Sequence, residues 1–295
     1  MNGNLSRTTQ GLSLVYQPII KIPLEKSATD GTPEISVIGF EALGRLTQGG
    51  GLISIFSLIQ EAEKCGDKSL LQHIDLIVLD QCLQDLGLIK ERPSSVEGFS
   101  AQDLLESGFY LAINVSAHSW DNQAFFNKLA DAKHTFTDLP KFLRFELVET
   151  ASLPIRYEVA LLAKLYELGF SIAIDDCGVG SHATTEKISS LLTMHKLCRT
   201  EQNSPTIKLD REAVVQPLEE GNTSALELLK QFFNVATNSL FVFEGCALSS
   251  PAVEGCVETM GIPNAAGQSY AIARPQSATS LRTVIEKLQL AQADR

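Results

Sequence analysis

Six short apolar runs in this chain each end on a carboxylate, an amide or an ammonium: Val37–Glu41, Leu111–Asn114, Phe142–Glu146, Phe170–Asp176, Thr206–Lys208 with Asp210 beyond it, and Leu240–Glu244. Runs of β-branched residues, Leu and Phe with no polar alternation read as strands buried on both faces, which occur mainly in parallel sheets flanked by helices. The polar residue then stands at the carboxyl end of its strand. In α/β barrels and open parallel sheets that is the end where ligands bind, so side chains from several strands converge on one mouth. Carboxylates placed there are costly unless they are paired or metal-bound. Four acidic strand ends at one mouth therefore imply cations between them, and the sequence implies a metal centre.

The elements that must position these residues follow from periodicity. Leu14–Ile22 and Glu34–Leu43 read as a hairpin-like pair of strands separated by the polar, turn-forming stretch Pro23–Pro33. Ile53–Cys65 and Lys68–Leu86 carry apolar residues at three- and four-residue spacing and are expected as amphipathic helices, with Gly66-Asp67 ending one and starting the next. Lys90–Ser107 reads as a surface excursion before a strand at Phe109–Asn114. Ala124–Ala132 and Tyr157–Leu168 are expected as further helices, the latter ended by Gly169. One helix per strand supports a parallel barrel rather than a sandwich.

Composition bounds the function. With 295 residues, 44% hydrophobic and 20% charged, the chain is expected to form a single domain with a sizeable core. A net charge of −11 argues against binding DNA, RNA polymers or an anionic membrane, since these need concentrated Lys and Arg. An anionic substrate would then need metal ions. No apolar stretch has the length of a membrane span, and Met1–Gln10 lacks an apolar core, so an unanchored cytoplasmic protein is expected. The six cysteines form no Cys-x-x-Cys pair and have no His at ligand spacing, which fits reduced thiols better than a disulfide framework or a zinc site.

The motifs, taken in order, resemble those of the EAL family of bacterial cyclic di-GMP phosphodiesterases. Glu41-Ala42-Leu43 with Arg45 opens the resemblance, and Tyr16-Gln17-Pro18-Ile19, Asn114-Val115-Ser116, Glu146-Leu147-Val148-Glu149 and Ile174-Asp175-Asp176 agree with it. Ile207-Lys208-Leu209-Asp210, Phe243-Glu244-Gly245, Gln268-Ser269-Tyr270 and Arg274-Pro275 complete the set, covering roughly Leu14 to Leu288. The resemblance implies a (β/α)8 TIM-like barrel whose first strand runs antiparallel. It implies two Mg²⁺ or Mn²⁺ ions at the mouth, with Glu41, Asn114, Glu146 and Asp175 on one and Asp175 bridging to a second held also by Asp176. Hard oxygen ligands suit those ions, which at about 4 Å apart can activate water for in-line displacement at phosphorus. Lys208 would position or activate that water, Glu244 would orient Lys208 or accept a proton, and Glu149 would brace the loop after the Asp pair. Gln17, Leu43, Arg45 and Gln268 would contact substrate. The implied activity is hydrolysis of cyclic di-GMP to linear pGpG. The alternatives are a catalytically silent receptor for that nucleotide or a protein-interaction module.

The chain departs from the family in one loop. After Asp176 it reads Cys177-Gly178-Val179-Gly180-Ser181-His182, where the family has Phe, Gly, Thr, Gly at the first four positions. That loop helps order the second ion and contributes to dimer contacts in the family, so a homodimer is expected and a lowered turnover is compatible with the sequence. Ala247 and Ser269 replace a glutamate and a glycine of the family pattern. The lone Trp120 with Phe125 and Phe126 reads as helix packing, and His118, His134, His182 and His195 as surface or loop residues.

Overall fold

In the computed structural model the described residues are 9–22, 36–90, 109–147, 154–179, 193, 205–236, 238–246, 250–268 and 276–277. The strands are β1 (Leu12–Lys21), β2 (Ser36–Gln48), β3 (Gly51–Ser54), β4 (Tyr110–Val115), β5 (Leu143–Leu147), β6 (Ser171–Cys177), β7 (Thr206–Leu209), β8 (Leu240–Glu244), β9 (Ala265–Gln268) and β10 (Gln276–Ser277). The main helices are α1 (Phe56–Cys65), α2 (Lys68–Lys90), α3 (Gln123–Thr135), α4 (Ile155–Glu167), α5 (Thr223–Val235) and α6 (Pro251–Met260).

The sheet order β1-β9-β8-β7-β6-β5-β4-β2, closed by pairing of β1 with β2, makes an eight-stranded barrel. β1 is antiparallel to both neighbours, and every other pair in the ring is parallel. The fold is thus a (β/α)8-type barrel with an antiparallel first strand. The short strand β10 adds to the outside of the ring on β1, and β3 on β2.

β3 departs from the sequence reading, which began a helix at Ile53. Gly49 and Gly50 have φ of +58° and +81°, values that a two-residue hairpin turn requires and that side chains resist. They fold β2 back on itself, pairing Arg45 with Ser54 and Leu46 with Ile53. The helix therefore begins only at Phe56. Gly66, at φ +66°, closes α1 in a left-handed cap as expected, and its amide donates to the carbonyls of Ala62 and Glu63. The segment 91–108 and most of the long segment after Val179 lie outside the described residues.

Two apolar layers hold the barrel. Outside it, Phe145 of β5 meets Phe125 of α3 and Phe170 edge-on, with centroids 5.8 and 5.3 Å away. Phe125 and Phe126 are thus packing residues, as the sequence suggested. Inside, Ile19, Tyr110, Ala112, Val242 and Ala266 form a small apolar plug from four strands. α2 is tied to β1 by Gln81 Nε2 donating to the Leu12 carbonyl at 2.8 Å, and by the Tyr16 hydroxyl donating to Asp85. A plug below and helices outside leave one end of the interior for polar side chains.

Candidate active site

Alternation along each strand decides which side chains reach that end. On β2 the inward series is Gly39, Glu41, Leu43 and Arg45. β4 contributes Asn114, β5 Glu146, β7 Lys208, β8 Glu244 and β9 Gln268. β6 is the exception, because alternation would send Asp175 and Asp176 to opposite faces. A register shift between Ile174 and Cys177, and a left-handed φ of +50° at Asp176, break the alternation. Asp tolerates that conformation better than most residues. The carboxylate oxygens of Asp175, Asp176 and Glu244 consequently all lie within 4.8 Å of one another.

At the centre is Lys208, 1% exposed, whose Nζ lies 2.8 Å from Glu146 Oε2, 2.8 Å from Asp175 Oδ1, 3.1 Å from Glu244 Oε1 and 3.4 Å from Glu41 Oε2. Glu41 is fixed from two further strands: Asn114 Nδ2 donates to its Oε1 at 2.8 Å, and Gln268 Nε2 donates to its Oε2. Gln17 stands directly across from Glu41 in the β1–β2 ladder and is buried. Eight sequence-derived residues from seven strands are therefore gathered around one lysine: Gln17, Glu41, Asn114, Glu146, Asp175, Asp176, Glu244 and Gln268.

The chain matches the EAL domain family over residues 4–238. It belongs to that family. Among relatives of this EAL domain, the probable cyclic di-GMP phosphodiesterase PdeG of Escherichia coli is 28% identical over 169 residues. Those residues span 56% of this chain and 28% of PdeG, so the match takes in little more than a quarter of that relative's length. The EAL enzyme Bd1971, in its cAMP- and cyclic di-GMP-bound form, superposes with a TM-score of 0.69 at 21% identity, covering 96% of this chain and 67% of that one. The PaMucR phosphodiesterase in complex with c-di-GMP gives 0.66 at 22% identity, covering 95% and 98%. These likenesses are of fold.

The charges of this EAL site do not balance within it. Four carboxylates press on one ammonium, with Asp176 close behind. Burial pushes Glu146 well above the usual carboxylate range, the charges of Glu41 and Asp175 push it further, and Lys208 pulls against them. Glu244 is pushed up to about 8, again by burial first, with Lys208 opposing. Glu41 goes the other way, because Lys208 and the donors Asn114 and Gln268 outweigh its burial. Lys208 is held well above its ordinary value: burial alone would lower it, and Asp175, Glu146, Glu244 and Glu41 together overcome that. A surplus of convergent carboxylate oxygens over cations is a set of hard donors that fits a divalent ion.

The other expectations concern single side chains. Lys208 contacts carboxylates on four sides, Glu244 among them. Leu43 and Arg45 sit further along β2 than the cluster, half-buried, and Arg45 Nη1 donates to the adjacent Gly44 carbonyl at 2.8 Å. Glu149 lies outside the described residues, as do Gly180, Ser181, His182, His195 and Arg274. His118 is buried at 8% exposure in the turn after β4, not on the surface, because Ser116 and Ser119 on either side of it are drawn inward to Asp75. Cys177 is wholly buried, its Sγ donating to the Ile174 carbonyl at 3.5 Å, whereas Val179 is 40% exposed. The two departures in the loop thus differ in kind, one filling core and one facing solvent.

Sequence reasoning missed two groups that border the site, one buried and one half-buried. Asp75 of α2 accepts from Ser116 N at 3.1 Å and Ser119 Oγ at 2.7 Å, tying down the chain just past Asn114. Its signal was an acid on the apolar stripe Leu71, Ile74, Val78. Arg144 lies in the barrel two residues before Glu146, and its signal was a cation inside an apolar strand.

Proposed function

We propose that this EAL domain hydrolyses cyclic di-GMP to linear pGpG in a reaction that depends on Mg²⁺ or Mn²⁺. The observation that carries the reading is the convergence of Glu41, Asn114, Glu146, Asp175, Asp176 and Glu244 around Lys208 at the carboxyl ends of six strands. Glu41, Asn114, Glu146 and Asp175 would hold one ion, and Asp175 with Asp176 the other, with Glu244 beside that pair. Bound there, two such ions screen phosphate charge and lower the pKa of a coordinated water. The protein's own part is to fix the donors on rigid strand ends, exclude bulk water from the floor of the mouth, and keep Lys208 charged where negative charge develops. Glu244, with its raised proton affinity, is placed to hold a proton beside Lys208. Gln17, Leu43, Arg45 and Gln268 would contact the substrate, with the Arg45 guanidinium suited to a phosphate oxygen.

The test is incubation of purified protein with cyclic di-GMP and Mg²⁺ or Mn²⁺, the product being identified by chromatography, beside Glu41→Gln and Asp175→Asn. Formation of pGpG by the wild type and its loss in both variants is expected. Tight binding of the nucleotide with no turnover would replace the enzyme by a receptor, the reading that the divergent Cys177–Val179 stretch favours.

A further inference from the structure

The floor of the barrel, below the carboxylates, contains a second cation, half-buried. Arg144 alternates with Glu146 on β5 and so points to the same interior. Its guanidinium carbon lies 3.8 Å from the centroid of the Tyr110 ring, part of the internal apolar plug, and its Nη1 donates to Thr206 Oγ1 at 2.6 Å. Thr206 in turn alternates with Lys208 on β7. An aromatic face and a hydroxyl therefore hold one guanidinium in place a single residue layer beneath the two strand ends that bear Glu146 and Lys208. Among the described residues no carboxylate lies within ion-pairing distance of it, and the acid whose charge it feels is Glu146, two residues further along the same strand. Tyr110, with its proton held up to about 12 mainly by burial, is neutral and does not cancel it either.

We infer that Arg144 is a built-in counter-charge of the carboxylate cluster, a positioning residue that stabilises the barrel on its own and moderates how tightly the mouth takes a divalent cation. The inference rests on the metal-binding reading above. Five acids face one ammonium at the mouth, and a fixed cation on the floor offsets part of the surplus without occupying a ligand position. A plain arginine within the core would cost stability. One placed under an acidic cluster returns some of that cost through charge, and it also repels an incoming ion.

The experiment uses the 295-residue chain as wild type, Arg144→Met and Arg144→Lys. Mn²⁺ affinity is measured by calorimetry, and thermal stability both in excess EDTA and in saturating Mn²⁺. Arg144→Met is expected to bind Mn²⁺ on the order of tenfold more tightly, about 1.4 kcal/mol, and to lose more stability in EDTA than in Mn²⁺. Arg144→Lys keeps the charge and is expected to stay close to wild type in affinity while losing some stability in both conditions. Equal stability losses of Arg144→Met with and without Mn²⁺ and unchanged affinity would overturn the inference, leaving Arg144 a packing residue. A shift in Arg144→Lys as large as in Arg144→Met would do the same. If Arg144→Met does not fold, folding of Arg144→Lys supports the counter-charge role and its equal failure overturns it. Absence of Mn²⁺ binding to the wild type would sink the metal reading instead, while the stability differences in EDTA would still report on Arg144.

Discussion

At the residue scale, chemistry was legible where a polar side chain interrupted an apolar run. Glu41, Asn114, Glu146, Asp175, Lys208 and Glu244 all stood out that way, and they meet. Arg144, two residues before Glu146 and so on the same face of β5, carries the same signal but is easily passed over, because a lone cation in a strand is usually a solvated residue. The environment of Lys208 was unreadable, since its four carboxylates come from four other strands. Substituting Lys208 by Met removes the one ammonium that these carboxylates share. Breaking a buried ionic cluster by deleting one partner typically costs about 3–5 kcal/mol. Urea unfolding in EDTA should show a loss of that order, and an unchanged midpoint would mean that the cluster does not depend on Lys208. Asp75 gives a second prediction. Burial pushes its carboxyl up to about 7, against the pull of Ser119 and Ser116. A raised carboxyl contributes stability that is fully present below the unfolded value near pH 4 and lost as pH rises through the folded value near 7. Relative to Asp75→Asn, the wild type should therefore lose a few kcal/mol between pH 4 and 7 and nothing more above it. A flat difference across that range would show that Asp75 is ionised throughout.

At the scale of elements, the order of strands and helices could be read from periodicity, but their junctions could not. The Gly49-Gly50 turn was hidden because a run of glycines marks any loop, and only two positive φ values make it a hairpin. The pairing of Asp175 with Asp176 likewise depends on one left-handed residue and a register shift, which sequence pattern does not carry. Elsewhere a glycine is required by proximity. A Cβ on Gly39, two residues before Glu41, would lie 2.7 Å from the Tyr110 carbonyl oxygen and 3.0 Å from its ring. Backbone cannot yield there without parting β2 from β4, the pair whose register sets Glu41 beside Ala112 and Asn114 near by. Gly39→Ala should cost roughly 1–3 kcal/mol and weaken turnover by moving Glu41. Urea unfolding with and without Mn²⁺ reads the first effect, and a wild-type midpoint would show that the two strands have slack. The same reasoning tells against restoring the family phenylalanine at position 177. Cys177 is wholly buried, so the larger ring must displace its neighbours, whereas Val179 can be changed at the surface.

At the scale of the whole molecule, the acidity of the chain and the architecture of the barrel belong to one arrangement. A net charge of −11 weighs against polyanions, and the fold concentrates part of that charge at one mouth, around Lys208. No helix among the described residues is long and apolar enough to cross a membrane. The proposed ligands come from β2, β4, β5 and β6, half of the ring, so an ion bound among them ties together strands that are far apart in sequence. Ion binding and barrel closure are then linked, and a ligand that binds the folded state alone stabilises it by RT ln(1 + [L]/Kd), about 2.7 kcal/mol at a hundredfold excess over Kd. For a chain of 295 residues that corresponds to a rise in Tm of about 4 °C. Scanning calorimetry in EDTA and in graded Mn²⁺ should show a Tm that climbs steadily with the logarithm of free metal. The slope should be abolished in Asp175→Asn, which removes the carboxylate common to both proposed ion positions, and reduced less in Asp176→Asn, which touches only one. A Tm independent of Mn²⁺ in the wild type would mean that the cluster is closed by its own lysine and arginine, and that hydrolysis at this mouth, if present, proceeds without a bound ion.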